Sequence, residues 1–389
     1  MKGEGKELTD FALMFTAGAA AGLYICSGNR PAYPAACISF FASVALALYS
    51  AMTFKRTGNP DSRNTAMPCR PFLVAAFFFS GIYCASIASL NAGCRAPDGG
   101  QWFLRDAAQA SLLHLKTAIE SIPFRDRDSN ALILALITGD RSGLPPQVSS
   151  SFRISGASHI LALSGMHLGV VYIILTRMFA VLGNSPSAVR IRSAMTVAAA
   201  GFYTMMTGAG ASILRAFLFI TLNETARCTG RKRLPMNIFS AALMTQAALS
   251  PHVLESVSFQ LSYLAMAGLY LLYPVMRGWY RETAPARTGG TVSMWIARAR
   301  PMKRIWDMAA MSISCQIFTA PAAWYYFGTF PPYFLITNLI AVPLSTAAIN
   351  LSIPLLILQP LGLCPGILVE ADNAVIQAMC RSLEIISGL

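Results

Sequence analysis

Three polar residues in one short apolar stretch could take part in chemistry. His159, Ser164 and His167 lie on a segment that also carries the small-xxx-small pair Gly165 and Gly169. A helix through this segment would place both histidines on one face, two turns apart, with Ser164 one turn before His167. Lipid tolerates neither polar groups nor close-packing glycines without a partner, so we expect a site inside a membrane bundle.

Several kinds of chemistry can be compared for this segment. Nucleophilic chemistry would use Ser164 with a histidine base, and the local Leu163-Ser164-Gly165 sequence is faintly similar to that of intramembrane serine proteases. Nothing else in the chain resembles those enzymes. A metal pair would need a carboxylate or a third histidine at ligand spacing, which the segment lacks. We therefore expect no catalytic residue, no metal and no cofactor here. The remaining roles for these three polar residues are hydrogen bonds between helices or the lining of a polar path.

Arg215 is a second candidate, because apolar neighbours flank it between residues 213 and 220. A buried charge in a membrane costs several kcal/mol unless it is paired or hydrated. One interpretation is a structural bridge to Glu224, Glu255 or backbone carbonyls. The other is a guanidinium that faces a water-filled path and meets phosphate oxygens. The residues alone leave both interpretations open.

Five further polar residues belong to the same candidate set. Gln260, Gln316 and Asn338 are uncharged hydrogen-bonding groups in apolar segments, where they could hold helices together or line a polar route. Asp140 and Arg141 stand at a turn before the histidine segment. Locally these two residues are typical of a capping and ion-pair unit.

Composition indicates the class of fold that must position these residues. Of 389 residues, 55% are hydrophobic and 12% are charged, and the mean hydropathy is +0.52. A soluble domain carries about 25% charged residues. Several apolar runs also reach the roughly 20 residues that cross the hydrocarbon core. The sequence predicts an all-α, polytopic helical integral membrane protein.

We expect nine to eleven membrane segments, some of them broken or re-entrant. The histidine segment should be one helix over about 157–182, and residues 131–138 are too short to cross. Gly208 and Gly210 should break the chain between helices near 194–207 and 211–226. The last apolar segment, 333–359, contains Pro343 and Pro354, which should kink or divide it. Four regions follow: three transmembrane helices in 1–92, an external amphipathic helix in 93–130, a membrane core in 131–360, and an amphipathic tail in 361–389.

The formal net charge of +13 has two interpretations. A basic soluble protein would suggest nucleic acid, whereas a membrane protein collects basic residues in cytoplasmic loops. The basic residues do cluster in loops, so we attribute most of the charge to orientation. We expect the loops at 55–70, 227–235 and 277–306 to be cytoplasmic and residues 92–130 to be external.

Four blocks occur in one order along the chain. They are GDRSGLPPQVSSSFRISGASHILALSGMHLG at 139–169, GASILRAF at 210–217, SFQLSYLAMAG at 258–268, and CQIFTAPAAWYYFGTFPPYFLITNLIAVPL at 315–344. Together they resemble the ComEC competence family, bacterial inner-membrane proteins that admit single-stranded DNA during transformation. The resemblance implies an inner-membrane channel whose DNA path contains Asp140, Arg141, His159, Ser164, His167, Arg215, Gln260, Gln316 and Asn338.

The chain also departs from the family pattern. Members usually carry an OB-like domain near the N-terminus, but only about forty residues separate the third apolar span from the first block. Many members end in a metallo-β-lactamase-like domain, yet no HxHxDH motif is present here. The resemblance therefore implies separate partners: an external DNA receptor, a nuclease, and a cytoplasmic helicase or strand-binding protein. The chain also lacks GxxxxGK[ST], so we expect it not to be an enzyme.

Two other functions remain compatible with these features. A secondary carrier for a small or polymeric anion would share the membrane arginine and the broken helices. A membrane scaffold with no transport of its own would explain the missing domains.

Overall fold

The computed structural model describes residues 6–26, 32–57, 70–91, 102–163, 165–183, 185–280, 301–328, 331–359 and 362–388. Every regular element in these ranges is helical, which confirms the predicted all-α class. The α-helices in chain order are α1 (Lys6–Cys26), α2 (Ala32–Thr57), α3 (Arg70–Asn91), α4 (Trp102–Glu120), α5 (Arg127–Thr138), α6 (Pro146–Ile154), α7 (Ser158–Leu161), α8 (Gly165–Met178), α9 (Pro186–Met206), α10 (Ala211–Cys228), α11 (Pro235–Leu249), α12 (Val257–Leu271), α13 (Tyr273–Arg277), α14 (Pro301–Phe327), α15 (Phe334–Leu358) and α16 (Gly366–Ser387).

Five helical stretches among the described residues are long and apolar enough to cross a membrane. They are Leu8–Cys26, Pro34–Met52, Arg70–Leu90, Gly165–Leu182 and Phe334–Leu358. The protein is therefore a multi-pass membrane protein, as predicted. This number is below the nine to eleven expected segments because apolar helices such as α11 and α12 have only 15 residues each.

The helices divide into two compact units. The first contains Met1–Gly100 and Leu218–Gln260, and the second contains Gln101–Phe217 and Leu261–Leu389. In the first unit α1 packs against α3 and α11. A Cβ on Gly18 would collide with the carbonyl oxygen of Phe78, and one on Gly81 would collide with that of Phe15. The two backbones approach this closely because glycine has no side chain, which is the usual basis of tight helix pairs in lipid.

Helix α5 forms the centre of the hydrophobic core in the second unit. Eight of its residues are buried, and apolar side chains of α15 and α16 pack around it. Its sequence is apolar on all sides over residues 131–138, which is typical of a buried helix. Residues 131–138, expected to be too short to cross the membrane, therefore lie in the core of this unit. Helix α16 packs against α15 through a buried apolar stripe that includes Val369, Ile376, Met379 and Leu383.

The histidine segment is interrupted, and the prediction of one helix over 157–182 is wrong. Helix α7 ends at Leu161, and Ala162 adopts an extended backbone with φ −78° and ψ 130°. A new helix, α8, begins at Gly165 and continues as a 3₁₀ turn over Phe179–Leu182. The extended residue ends the helical hydrogen-bond ladder, so the two histidines of this segment belong to different helices.

The predicted break between the next two helices is confirmed. Helix α9 ends at Met206 and α10 begins at Ala211. Between them Gly208 has φ +85° and Ala209 has φ +49°. Left-handed backbone cannot continue a right-handed helix, and it is costly for alanine, which has a Cβ.

Two helices differ from their expected bounds. Helix α9 begins at Pro186 rather than near 194, because Ser185 accepts a capping hydrogen bond from the Ala188 amide at 3.2 Å and proline suits the first helical position. Helix α15 runs without interruption through Pro343 and Pro354. These prolines therefore do not divide the last apolar segment.

Candidate functional site

Arg215 lies in the second turn of α10, where it is buried beside two serine hydroxyls. The residue is 8% exposed. Its Nη2 lies 3.4 Å from Ser212 Oγ, one turn earlier in the same helix. Ser212 Oγ in turn lies 3.3 Å from Ser262 Oγ on α12. Among the described residues, the buried Nη1 has no hydrogen-bond partner.

An aromatic ring and a helix end complete the surroundings of Arg215. Its guanidinium carbon lies 5.7 Å from the centroid of the Tyr263 ring, within cation–π range. A Cβ on Gly165 would lie 3.4 Å from the Ala216 Cβ and 3.8 Å from Arg215 Nη2. The first residue of α8 therefore lies against the guanidinium. Helix N-termini carry amides without intrahelical partners and a partial positive charge.

This arrangement is suited to binding an anion briefly. The guanidinium and the N-terminal end of α8 both favour negative charge, and backbone amides at helix starts commonly bind phosphate. Nη1, which no described residue contacts by a hydrogen bond, can donate to a phosphate oxygen. Two hydroxyls and one ring supply weak additional contacts, and the described groups around the guanidinium include no carboxylate that neutralises it. We therefore define Gly165, Ser212, Arg215, Ser262 and Tyr263 as the Arg215 site.

The remaining residues of the histidine segment are dispersed. His159 on α7 is exposed, and its Nδ1 lies 3.1 Å from the Gly156 carbonyl oxygen. His167 on α8 is 2% exposed. The expectation that they share a helix face is wrong, because the chain is extended between their helices. Ser164 lies outside the described residues.

The glycines differ in what surrounds them. Gly165 packs against α10, whereas a Cβ on Gly169 would meet no described atom within 4 Å. Close packing in the small-xxx-small pair is thus seen at its first glycine and not at its second. Gly208 and Gly210 likewise face open space among the described atoms. Gly208 is explained by its left-handed backbone at the helix break, with φ +85°, rather than by close packing.

Asp140 and Arg141 each contact a partner distant in sequence. Asp140 forms an ion pair with Lys116 of α4. The hydrogen bond from Lys116, with a further one from the Ser142 amide, holds the pKa of the Asp140 carboxyl well below its usual range. Arg141 Nε donates to the Leu161 carbonyl oxygen at 3.1 Å. The expected local ion-pair unit is therefore replaced by two contacts that connect the turn to α4 and α7.

The three amides have different surroundings. In the first unit Gln260 Nε2 donates to the Leu254 carbonyl oxygen at 2.9 Å. In the second unit Asn338 Nδ2 donates to Ser312 Oγ at 2.7 Å, which connects α15 to α14. The buried Asn338 Oδ1 has no partner in the part of the chain that the structure describes. Gln316, on α14, is partly exposed.

Sequence reasoning missed three residues of the Arg215 site, Ser212, Ser262 and Tyr263. Ser262 and Tyr263 follow Gln260 within the SFQLSY block, so the block itself was the available signal. Ser212 is the second residue of α10, directly after the glycine-rich turn, which was interpreted only as a helix break. Arg192 on α9 was also missed; it is 5% exposed, and its Nε has no partner among the described residues.

Comparison with known proteins gives one family and two relatives. The model of the family described as "Competence protein" matches residues 136–389. The chain is 24% identical over 166 residues to "Uncharacterized protein YcaI" of Escherichia coli (strain K12), covering 42% of this chain and 21% of that protein. It is 26% identical over 144 residues to "ComE operon protein 3" of Bacillus subtilis (strain 168), covering 37% of this chain and 18% of that protein.

The matched stretches span about a fifth of the length of each of these relatives. No solved structure matches the chain. The family match begins three residues before Gly139, where the first sequence block starts, and it contains all four blocks. Because it covers more than half of the chain, the protein belongs to the competence protein family.

Proposed function

We propose that the chain forms a channel in the bacterial inner membrane that admits single-stranded DNA to the cytoplasm during natural transformation. Family membership, the similarity to "ComE operon protein 3" and the five candidate spans support a role in DNA uptake. The observation that carries the channel proposal is the Arg215 site, where one nitrogen of a buried guanidinium has no hydrogen-bond partner among the described residues and can donate to phosphate.

The chemistry of the strand explains why one weak cationic site suits transport. Single-stranded DNA is a polyanion with flat, apolar bases. Conduction needs sites that are favourable enough to admit the strand and weak enough to release it. A row of basic residues would hold many phosphates at once and would stall the strand. One arginine with neutral hydroxyls and a ring lets each phosphate exchange with the next.

Arg215 has a defined part in this mechanism. Its planar guanidinium can donate two parallel hydrogen bonds to phosphate oxygens, which a lysine cannot. The Tyr263 ring offsets part of the cost of burying the charge between phosphates. Ser212 holds Nη2 at 3.4 Å and leaves Nη1 to the passing strand.

The driving force and the processing of DNA are assigned to partners. We propose an external receptor, a separate nuclease, and a cytoplasmic helicase or strand-binding protein, with the proton gradient as another source of force. We propose that the chain itself hydrolyses neither DNA nor nucleotide. Its sequence contains no GxxxxGK[ST] loop, and no group of three His, Cys, Asp or Glu residues suited to a metal occurs within the described ranges.

The same geometry favours one other function, a carrier for a small anion. A single guanidinium beside a helix N-terminus and a broken helix would also fit such a substrate. The two functions differ in what crosses the membrane. A channel for DNA passes an oligonucleotide much longer than the bilayer thickness, whereas a carrier passes only single anions.

Uptake by cells tests the proposal. A competent host whose own gene is replaced by this chain should take up fluorescently labelled DNA into the cytoplasm, and deletion should abolish it. Proteoliposomes with the purified chain should admit a labelled 60-nucleotide strand and should not accumulate radioactive phosphate. Unchanged uptake after deletion contradicts the proposal, and phosphate accumulation without strand entry supports the carrier instead.

A further inference from the structure

A cavity of about 300 Å³ lies in the second unit, apart from the Arg215 site. Helix α4, the C-terminal end of α5 and the end of α9 form its walls. Its lining residues are Arg105, Gln109, Leu112, Thr138, Met205, Met206, Thr207 and Gly208. The volume is at the lower end of the roughly 300–1,000 Å³ typical of small-molecule sites. It therefore suits a unit no larger than one nucleotide.

The polar wall of this cavity offers donors for phosphate. Arg105 and Gln109 are exposed and stand four residues apart on α4, so they are neighbours on one face. Thr138 and Thr207 donate their hydroxyl hydrogens to backbone carbonyls at 2.7 and 2.9 Å. Both hydroxyl hydrogens are therefore already committed, and the donors left for a phosphate are those of Arg105 and Gln109. A guanidinium and an amide as donors, with no carboxylate among the described lining residues, favour an anionic ligand.

The opposite wall of the cavity is apolar and made mainly of flexible side chains. Met205, Met206 and Leu112 provide it. Thioethers make favourable contacts with aromatic rings and adapt their shape to different ligands. They form no strong hydrogen bonds with the edges of a base, so they do not distinguish one base from another. A ligand that combines a phosphate with a flat ring of variable identity matches both walls.

The backbone around the cavity is held in place on two sides. The Lys116–Asp140 ion pair connects α4 to a residue two positions after Thr138, and the Asp140 amide donates to Thr138 Oγ1 at 3.3 Å. On the other side Gly208 and Ala209 have positive φ. A non-glycine residue at positive φ stores strain, which often marks a ligand-binding turn. This turn leads directly into α10, the helix that carries Arg215.

We infer that the cavity is a nucleotide subsite for single-stranded DNA, in which Arg105 and Gln109 bind a phosphodiester and the methionine wall contacts the base without selecting its identity. The inference rests on the proposed function, because it adds a second contact to the strand path. A phosphodiester also occurs in lipid headgroups. We commit to DNA because the methionine wall suits a base, and lipid is an outcome of the test.

Binding of fluorescein-labelled dT12 to the full chain in phosphatidylcholine nanodiscs tests this inference by fluorescence anisotropy. Arg105→Ala should weaken binding about tenfold, as expected for loss of a charge-assisted hydrogen bond. The slope of log affinity against log salt should fall by roughly 0.7, the value for one phosphate contact on a single strand. Gln109→Ala and Met205→Ala should weaken binding less, and labelled dA12 should show the same pattern.

Arg125→Ala is the matched control, because it removes an equal charge from an exposed position outside the cavity lining. Equal affinities and equal salt slopes for Arg105→Ala and Arg125→Ala would overturn the subsite, as would no binding by the wild-type chain. The subsite would also be overturned if the loss of dT12 affinity in Arg105→Ala disappeared when phosphatidylglycerol is added at fixed ionic strength, since the cavity would then bind the lipid headgroup. The proposed function fails separately, if deletion of the gene leaves DNA uptake unchanged.

Discussion

The guanidinium carbon of Arg215 on α10 lies 5.7 Å from the centroid of the Tyr263 ring on α12. This contact joins two of the sequence blocks that resemble the competence family, GASILRAF and SFQLSYLAMAG. It also explains how a charge can be kept with little access to solvent and without a carboxylate partner among the described contacts. An aromatic face stabilises a desolvated cation by about 2 kcal/mol.

Two substitutions at Tyr263 should distinguish the contribution of its ring from that of its hydroxyl. Tyr263→Phe retains the ring face and should keep DNA uptake near the wild-type level. Tyr263→Ala removes the ring and should lower both uptake and the amount of folded protein, because Arg215 loses a contact of about 2 kcal/mol. Uptake and membrane-inserted protein are measured together. Equal losses in both variants would show that the hydroxyl, rather than the ring, is what matters.

Substitutions at the two glycines of α8 should differ sharply. Gly165→Ala should be tolerated, because its Cβ would make ordinary contacts at 3.4 and 3.8 Å. Gly165→Leu should push against Ala216 and Arg215 and should abolish uptake. Gly169→Leu is the matched control, since no described atom lies within 4 Å of its Cβ. Equal uptake in the two leucine variants would contradict the packing of α8 on the guanidinium.

These outcomes also show what the sequence could and could not predict. The apolar runs predicted the first three spans and the last one, and the paired glycines at 208 and 210 predicted the break before α10, because length and glycine content determine those features locally. The break at Ala162 was missed because an apolar residue in an apolar run carries no signal for an extended backbone. The ring beside Arg215 was missed because a tyrosine in an apolar helix is usually a packing residue, and only the tertiary contact shows otherwise.

The Lys116–Asp140 pair should stabilise the protein in a pH-dependent way. The pKa of Asp140 is lowered by Lys116, so its contribution is full above the ordinary pKa of aspartate, about 3.9, and is lost as pH falls further. The two side chains are 28% and 26% exposed, so we expect about 1 kcal/mol at pH 7. A double-mutant cycle with Lys116→Ala and Asp140→Ala measures this coupling by chemical unfolding. A coupling unchanged at pH values below 3 would be inconsistent with an ion pair.

Asp372 should destabilise the protein as pH rises. Its side chain is completely buried in α16; Oδ2 accepts a hydrogen bond from Ser352 Oγ at 2.7 Å, and Oδ1 has no described partner. Helix α16 is not among the candidate spans. Burial raises the pKa of Asp372 to about 7. The folded protein therefore holds a proton between about pH 4 and 7 that the unfolded chain has released, so stability falls across that range.

Asp372→Asn should remove this pH dependence, because the amide carries no charge. Above pH 7 the variant should be the more stable protein by an amount on the order of 4 kcal/mol, because ionising a buried carboxyl whose pKa is raised to about 7 destabilises the folded state. Thermal unfolding in detergent between pH 5 and 8 measures the difference. Glu370→Gln, at an exposed position on the same helix, should leave the pH profile unchanged. Parallel profiles for wild type and Asp372→Asn would show that the buried carboxyl does not titrate in this range.

The central claim is that Arg215 meets the phosphates of a passing strand. The direct measurement is cytoplasmic uptake of labelled DNA by cells that express wild type, Arg215→Ala or Arg215→Lys, with membrane-inserted protein quantified in the same cells. Arg190→Ala, an exposed arginine on α9, is the control for loss of charge. The account predicts that the alanine variant is inserted at wild-type abundance but has lost uptake, and that lysine restores it only in part, since it lacks the planar fork. Normal uptake by Arg215→Ala at wild-type abundance would contradict the account.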